Sequence, residues 1–227
     1  MYHHVSPDKS DGLTISPTRL EEQFSYLVKK GYKSYHLSEL MDLTRLPSKK
    51  SVVITFDDAY VSQMTWAYPL LVKYNLKAVF FAPLFYLGKK DAWSTDSLDI
   101  MTANQLKTLD PQVIELGFHS FHHNKYHEMS EEEITTDTNL CFKSVSENEL
   151  PLRAALAYPY GKYPKKLALK STFFRFLEAQ GFQYGFRIGN RVNNFPFKDP
   201  FEIQRLDVKG QYSLSKFKRK LKFGKLV

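Results

Sequence analysis

Short runs rich in β-branched and aromatic residues alternate along this chain with longer stretches of helical patterning. Val52-Val53-Ile54-Thr55-Phe56, Ala78-Val79-Phe80-Phe81-Ala82, Glu115-Leu116-Gly117-Phe118 and Ala154-Ala155-Leu156-Ala157 read as buried strands, and residues 184–187 and 202–208 as later ones. Between them, a helix is expected from about 63 to 74, bent or restarted at Pro69. Another starts at Ser130, with acids in its first turn and Glu133 at the capping-box position. A third runs from about 165 to 180 and stops at Gly181, and Ser213 caps a last one. Strands and helices alternating at these lengths imply right-handed βαβ units around a parallel sheet. Counting a stub at Met1-Tyr2-His3-His4-Val5, about seven strands are expected, enough for an α/β barrel, complete or not. No linker, repeat or low-complexity stretch divides residues 1–227, so a single domain is expected. Residues 87–99 and 189–200 are the longest irregular pieces and are candidates to frame a cleft.

Composition narrows the classes. The charged fraction is 25% and the hydrophobic fraction 43%, ordinary for a soluble globular chain. The net charge of +8 gathers partly in Lys216, Lys218, Arg219, Lys220, Lys222 and Lys225, and partly around Lys162, Lys165, Lys166 and Lys170. No nucleic-acid motif accompanies it, so a solvated face, an anionic glycan or peripheral contact with a membrane through the basic C-terminus is expected instead. The single cysteine, Cys141, excludes an internal disulfide and cysteine-ligated zinc, and reads as a buried thiol. With no membrane span and no signal peptide in this chain, the default compartment is cytoplasmic; a start lying upstream would make it exported or membrane-associated.

Three segments carry chemistry, each at the tip of a strand, where α/β active sites are built. Asp57-Asp58 ends the first buried strand. Adjacent carboxylates repel unless a cation or a proton intervenes, and successive strand residues point opposite ways, so the pair can divide its work between an ion and a substrate. His119-Ser120-Phe121-His122-His123 follows the third strand. His119 and His123, at i and i+4, would stack on one face of a helical turn and share a divalent ion, leaving His122 to point elsewhere. Two histidines and one carboxylate make a three-ligand site with a position open for water, and the spare carboxylate is a candidate general base. Tyr158-Pro159-Tyr160-Gly161 reads as a plain turn or as a rigid loop offering a backbone N–H to an oxyanion.

Together these segments resemble the motifs of the polysaccharide deacetylases, carbohydrate esterase family 4. Thr55-Phe56-Asp57-Asp58-Ala59-Tyr60 is similar to the family's Thr-Phe-Asp-Asp-Gly-Tyr, His119 to His123 matches its His-Ser/Thr-x-x-His, and Tyr158 to Gly161 resembles its third motif. The opening Tyr2-His3-His4-Val5 and the closing Gln204-Arg205-Leu206-Asp207-Val208 are similar to the branch containing poly-N-acetylglucosamine deacetylases. The resemblance implies a distorted (β/α)7 barrel binding zinc or another divalent ion such as Co2+ or Ni2+. It implies Asp57 as catalytic base, Asp58, His119 and His123 as metal ligands, and the Tyr160 N–H at the oxyanion. The substrate it implies is an acetylated amino-sugar glycan or a lipid-linked precursor.

Three departures stand out. Ala59 replaces the usual Gly, which is tolerable if its φ stays negative. Ala157 stands where many members carry an Arg that orients the base. The late Leu-x-His that supplies the general acid is missing, since no His follows His127, so by the branch pattern His3 is the candidate acid and His4 the second. Tyr60, Trp93, Tyr126 and Tyr160 are candidate sugar platforms. Two other readings remain: hydrolysis of other C–N bonds, and a glycan-binding domain of the same fold with weakened catalysis.

Overall fold

A computed structural model describes residues 1–41 and 43–225. The chain opens with β1 (His4–Val5), which pairs in parallel with β2 (Thr14–Ile15). Helix α1 (Pro17–Lys29) follows, an element beyond those expected from the pattern. Its signals are a Ser16 cap whose side chain accepts from Arg19 N, Pro17 in the first turn, and buried Leu20, Phe24 and Leu27 on one face. β3 (Lys33–Ser34) pairs with β4 (Ser51–Val52), so that the expected strand at 52–56 is split. Its core is β5 (Ile54–Asp57), every residue of which is buried.

A π-helical turn at Gln63–Ala67 passes into α2 (Tyr68–Lys73), with Pro69 in its first turn, so the proline does restart the helix. β6 (Ala78–Ala82), α3 (Ala103–Lys107), β7 (Ile114–Phe118), α4 (Glu131–Glu147), β8 (Leu152–Ala157), α5 (Leu167–Ala179) and β9 (Tyr184–Ile188) complete the alternation. The Ser130–Glu133 capping box forms as expected, and Gly181 ends α5 with φ 95°. Only Ile203–Arg205 of the expected 202–208 strand joins the ladder, as β10, before α6 (Leu214–Phe223).

Six strands form one parallel sheet in the order β10-β9-β8-β7-β6-β5, which curls into a distorted barrel. The seam between β10 and β5 is bridged by the first two residues. Tyr2 N donates to Thr55 O (2.8 Å) and its carbonyl accepts from Asp57 N (3.0 Å). Met1 N donates to Leu206 O (2.9 Å), and Met1 O accepts from Val208 N (3.1 Å). Past Arg205 the chain leaves the β9 ladder, because Leu206 and Val208 bond instead to Met1, the seventh stave. No helix among the described residues is long and apolar enough to cross a membrane.

The outer face of the sheet buries Phe56, Phe80, Leu116, Phe118 and Leu156 against the helices, through residues such as Cys141, Phe173 and Leu177. Each such side chain contributes about 1.5–3 kcal/mol. The interior is a smaller cluster of Val79, Phe81, Ala155, Ala157, Phe186 and Ile203. Gly117 is required there, since a Cβ would lie 2.6 Å from the Phe81 ring. Glu115 plugs the N-terminal end, accepting from Leu37 N (2.8 Å) and Ser38 N (3.2 Å).

Candidate active site

At the tip of β5 the backbone turns sharply, with φ 72° at Asp58 and 50° at Ala59. The expectation of a negative φ at Ala59 is therefore corrected: a buried alanine sits in the left-handed region that glycine occupies at no steric cost, a strain of about 1–2 kcal/mol. Surrounding bonds hold it there. Met101 N donates to Ala59 O (2.9 Å), and the fully buried Gln63 amide donates to Asp57 O (2.6 Å) and His3 O (3.0 Å). The turn sends the two carboxylates different ways.

Asp57 points to Arg205. The guanidinium makes a two-pronged contact, Nη1 to Oδ1 at 2.5 Å and Nη2 to Oδ2 at 2.8 Å, with both side chains buried. Burial opposes ionisation of Asp57, but Arg205, with His119 and His3, more than offsets it and holds the carboxyl below its ordinary value. Arg205 is a functional partner that the three motifs do not contain; its one signal in the sequence is its place in the closing Gln204–Val208 segment. It supplies the guanidinium that Ala157 does not, while Ala157 stays inside the barrel and offers its carbonyl to His119 Nδ1 at 2.7 Å.

Asp58 points to the histidines. Its Oδ1 lies 3.4 Å from His119 Nε2 and 3.2 Å from His123 Nε2. The spacing does not arise from a helical turn, as expected, but from a loop with left-handed residues at Ser120 (φ 58°) and His123 (φ 59°). That loop is held from α4, where the buried Asp137 accepts from Phe121 N (2.9 Å) and His122 N (3.1 Å). His122 does point elsewhere, onto Phe85.

Asp58, His119 and His123 bring three buried ligand atoms within 4.8 Å of one another and could hold a metal ion. Asp58 Oδ1 is buried without a hydrogen-bond partner, the condition of an atom built to meet a cation. A tetrahedral centre with bonds of about 2.0–2.2 Å sets its ligand atoms roughly 3.4 Å apart, and the two separations from Asp58 Oδ1 to the histidine nitrogens, 3.4 and 3.2 Å, match it.

His3 is buried, with Nε2 3.8 Å from Asp57 Oδ2, and burial lowers its pKa despite Asp57 and Asp58. His4 turns away to Ser62 Oγ (2.8 Å). Tyr160 sits left-handed (φ 56°) in the turn after β8, its half-exposed ring edge-on to His123 at 4.8 Å. Tyr60 and Tyr126 are buried and serve the core rather than a sugar, whereas Tyr160 remains exposed. Cys141 is a buried thiol that burial pushes well up in pKa.

A curled parallel barrel carrying an Asp-His-His cluster beside an arginine-held carboxylate at its C-terminal rim defines a recognisable class of α/β protein. A family model described as polysaccharide deacetylase matches residues 44–176, and the chain belongs to that family. It is 27% identical over 191 residues to YxkH of Bacillus subtilis (strain 168), covering 82% of this chain and 62% of YxkH. It therefore spans less than two thirds of that relative's length. It is 24% identical over 214 residues to the poly-beta-1,6-N-acetyl-D-glucosamine N-deacetylase of Staphylococcus aureus (strain MSSA476), covering 91% of this chain and 71% of that one. Among solved structures, IcaB from Ammonifex degensii superposes with a TM-score of 0.77 at 22% identity, over 97% of this chain and 93% of that one.

Proposed function

We propose that this chain is a metal-dependent hydrolase that removes N-acetyl groups from amino-sugar residues of a glycan or lipid-linked glycan precursor. The observation that carries the reading is the ionised Asp57, locked by Arg205, beside the Asp58-His119-His123 cluster. Family membership and the named activity of the Staphylococcus aureus relative support it. A divalent ion bound by these three residues, Zn2+ or alternatively Co2+ or Ni2+, would lower the pKa of a water and polarise the acetamide carbonyl.

The chain's own groups divide the rest. Asp57 takes a proton from the attacking water; Arg205 keeps its oxygens in place and its charge available at neutral pH. The Tyr160 N–H donates to the oxygen that gains negative charge. His3 protonates the leaving amine. Because burial keeps its resting imidazole neutral, the proton it delivers comes from the reaction, by way of Asp57. Water and amide become acetate and a free amine. The half-exposed Tyr160 ring is the candidate platform for a sugar face. The basic α6, with Lys216, Arg219, Lys222 and Phe223 exposed, suits a peripheral membrane contact near a lipid-linked substrate.

The test is acetate release from N-acetylglucosamine oligomers by the Zn2+-loaded protein. Loss of release with retained ion is expected for Asp57→Asn, and chelation should abolish release in the unmodified chain. Full turnover by Asp57→Asn would overturn the base assignment, and ammonia in place of acetate would assign the chain to other C–N bonds.

A further inference from the structure

The two imidazoles of the cluster are held in different ways. Liganding histidines ordinarily donate their second ring N–H to a carboxylate or carbonyl, which fixes the ring plane. His119 follows this rule through Ala157 O. His123 does not, since its Nδ1 is buried with no hydrogen-bond partner. Instead the indole of Trp93 lies flat against it, with ring centroids 3.7 Å apart and planes 22° from parallel.

Trp93 belongs to the irregular 87–99 segment, which is unusually well anchored. Buried Asp91 accepts from Tyr60 Oη (2.7 Å), Ser94 Oγ (2.9 Å) and Leu98 N (3.1 Å). Tyr60 is two residues beyond Asp58, so the strand tip that presents the carboxylate also anchors the loop that presents the indole. Tyr86 meets Trp93 perpendicularly at 4.9 Å and restrains it further.

We propose that Trp93 is the positioning residue for His123, its indole face setting the imidazole plane that a hydrogen bond sets for His119. This rests on the metal-hydrolase reading above and extends it to a residue outside the three motifs. It also removes one face of Trp93 from the candidate sugar platforms.

Two measurements test it. Zn2+ affinity, read by competition with a chromophoric chelator, is expected to fall about 10–100-fold in Trp93→Ala, the usual effect of losing a ligand's outer support. Trp93→Phe should recover most of that loss, with melting curves showing both variants folded. Equal affinity in Trp93→Ala and the unmodified chain would overturn the proposal alone, whereas an unmodified chain that takes up no divalent ion overturns the underlying reading as well. Independently of that variant's folding, Trp66→Phe leaves Trp93 as the sole indole. One equivalent of Co2+ should quench its emission, and Trp93→Phe, retaining only Trp66, should show no such quench. Unchanged emission in Trp66→Phe with Co2+ bound would refute the contact.

Discussion

The pairing of Arg205 with Asp57 offers the sharpest test of how this site is built. In Arg205→Met the Asp57 carboxylate stays in place, only 2% exposed, with both of its guanidinium contacts gone. Breaking a buried ion pair by removing one partner costs about 3–5 kcal/mol. At about 2–4 °C per kcal/mol for a chain of this size, the melting temperature should fall by roughly 6–20 °C. In an Asp57→Asn background the same substitution removes a guanidinium that already lacks its counter-charge, and the loss should be much smaller. A double-mutant cycle on metal-free protein, read by urea denaturation, should therefore return a coupling of about 2–3 kcal/mol. Activity adds a second readout. Asp57 must be ionised to act as a base, and Arg205 holds its pKa down, so in Arg205→Met the acidic limb of kcat/KM should move to higher pH. Arg205→Lys keeps the charge but not the fork, and should fall between. Single-mutant effects that add to within about 0.5 kcal/mol would refute the reasoning, because the two groups would then not depend on one another.

Two further outcomes follow from the supports of the site and of the barrel edge. Asp137→Ala leaves the N–H groups of Phe121 and His122 without their acceptor and should cost about 1–3 kcal/mol. Because those amides shape the loop between His119 and His123, Zn2+ affinity should fall at least about tenfold, and unaltered affinity in the competition assay would show that the loop is held by other means. Glu202 is opposed by burial, yet Lys170, Tyr163 and Arg187 together hold its carboxyl below the ordinary value. A depressed folded pKa contributes stability above the unfolded value of about 4.3 and loses it as pH falls through the folded one. Glu202→Gln should thus be less stable than the unmodified chain at pH 7, with the gap closing below about pH 4 in denaturation series; a gap that widens on acidification would reverse the sign.

The division between what could be read directly from residue order and what could not follows the range of the forces involved. The alternation of buried strands and capped helices was legible because hydrophobic periodicity, Ser130–Glu133, Pro69 and Gly181 act on backbone within a few residues of themselves. The Asp58-His119-His123 set was legible for a related reason. Asp58 follows β5 and both histidines follow β7, and parallel strands deliver their tips to one rim. How these side chains arrive was not legible: i, i+4 histidines pointed to a helical turn, but Asp137 on α4, reached only once the helix packs, holds a left-handed loop instead. Ala59 likewise takes a positive φ because Met101 and Gln63, from other elements, hold the turn against its local preference.

Residue order alone therefore determined the strand–helix repeat and the residues able to bind a cation. The tertiary structure decided which group holds Asp57, which of His3 and His4 enters the cleft, and which indole lies on His123. The reason is physical. Arg205 meets Asp57 across 148 residues because closing the barrel brings β10 beside the opening segment and β5, and only there does burial make the charge pair strong.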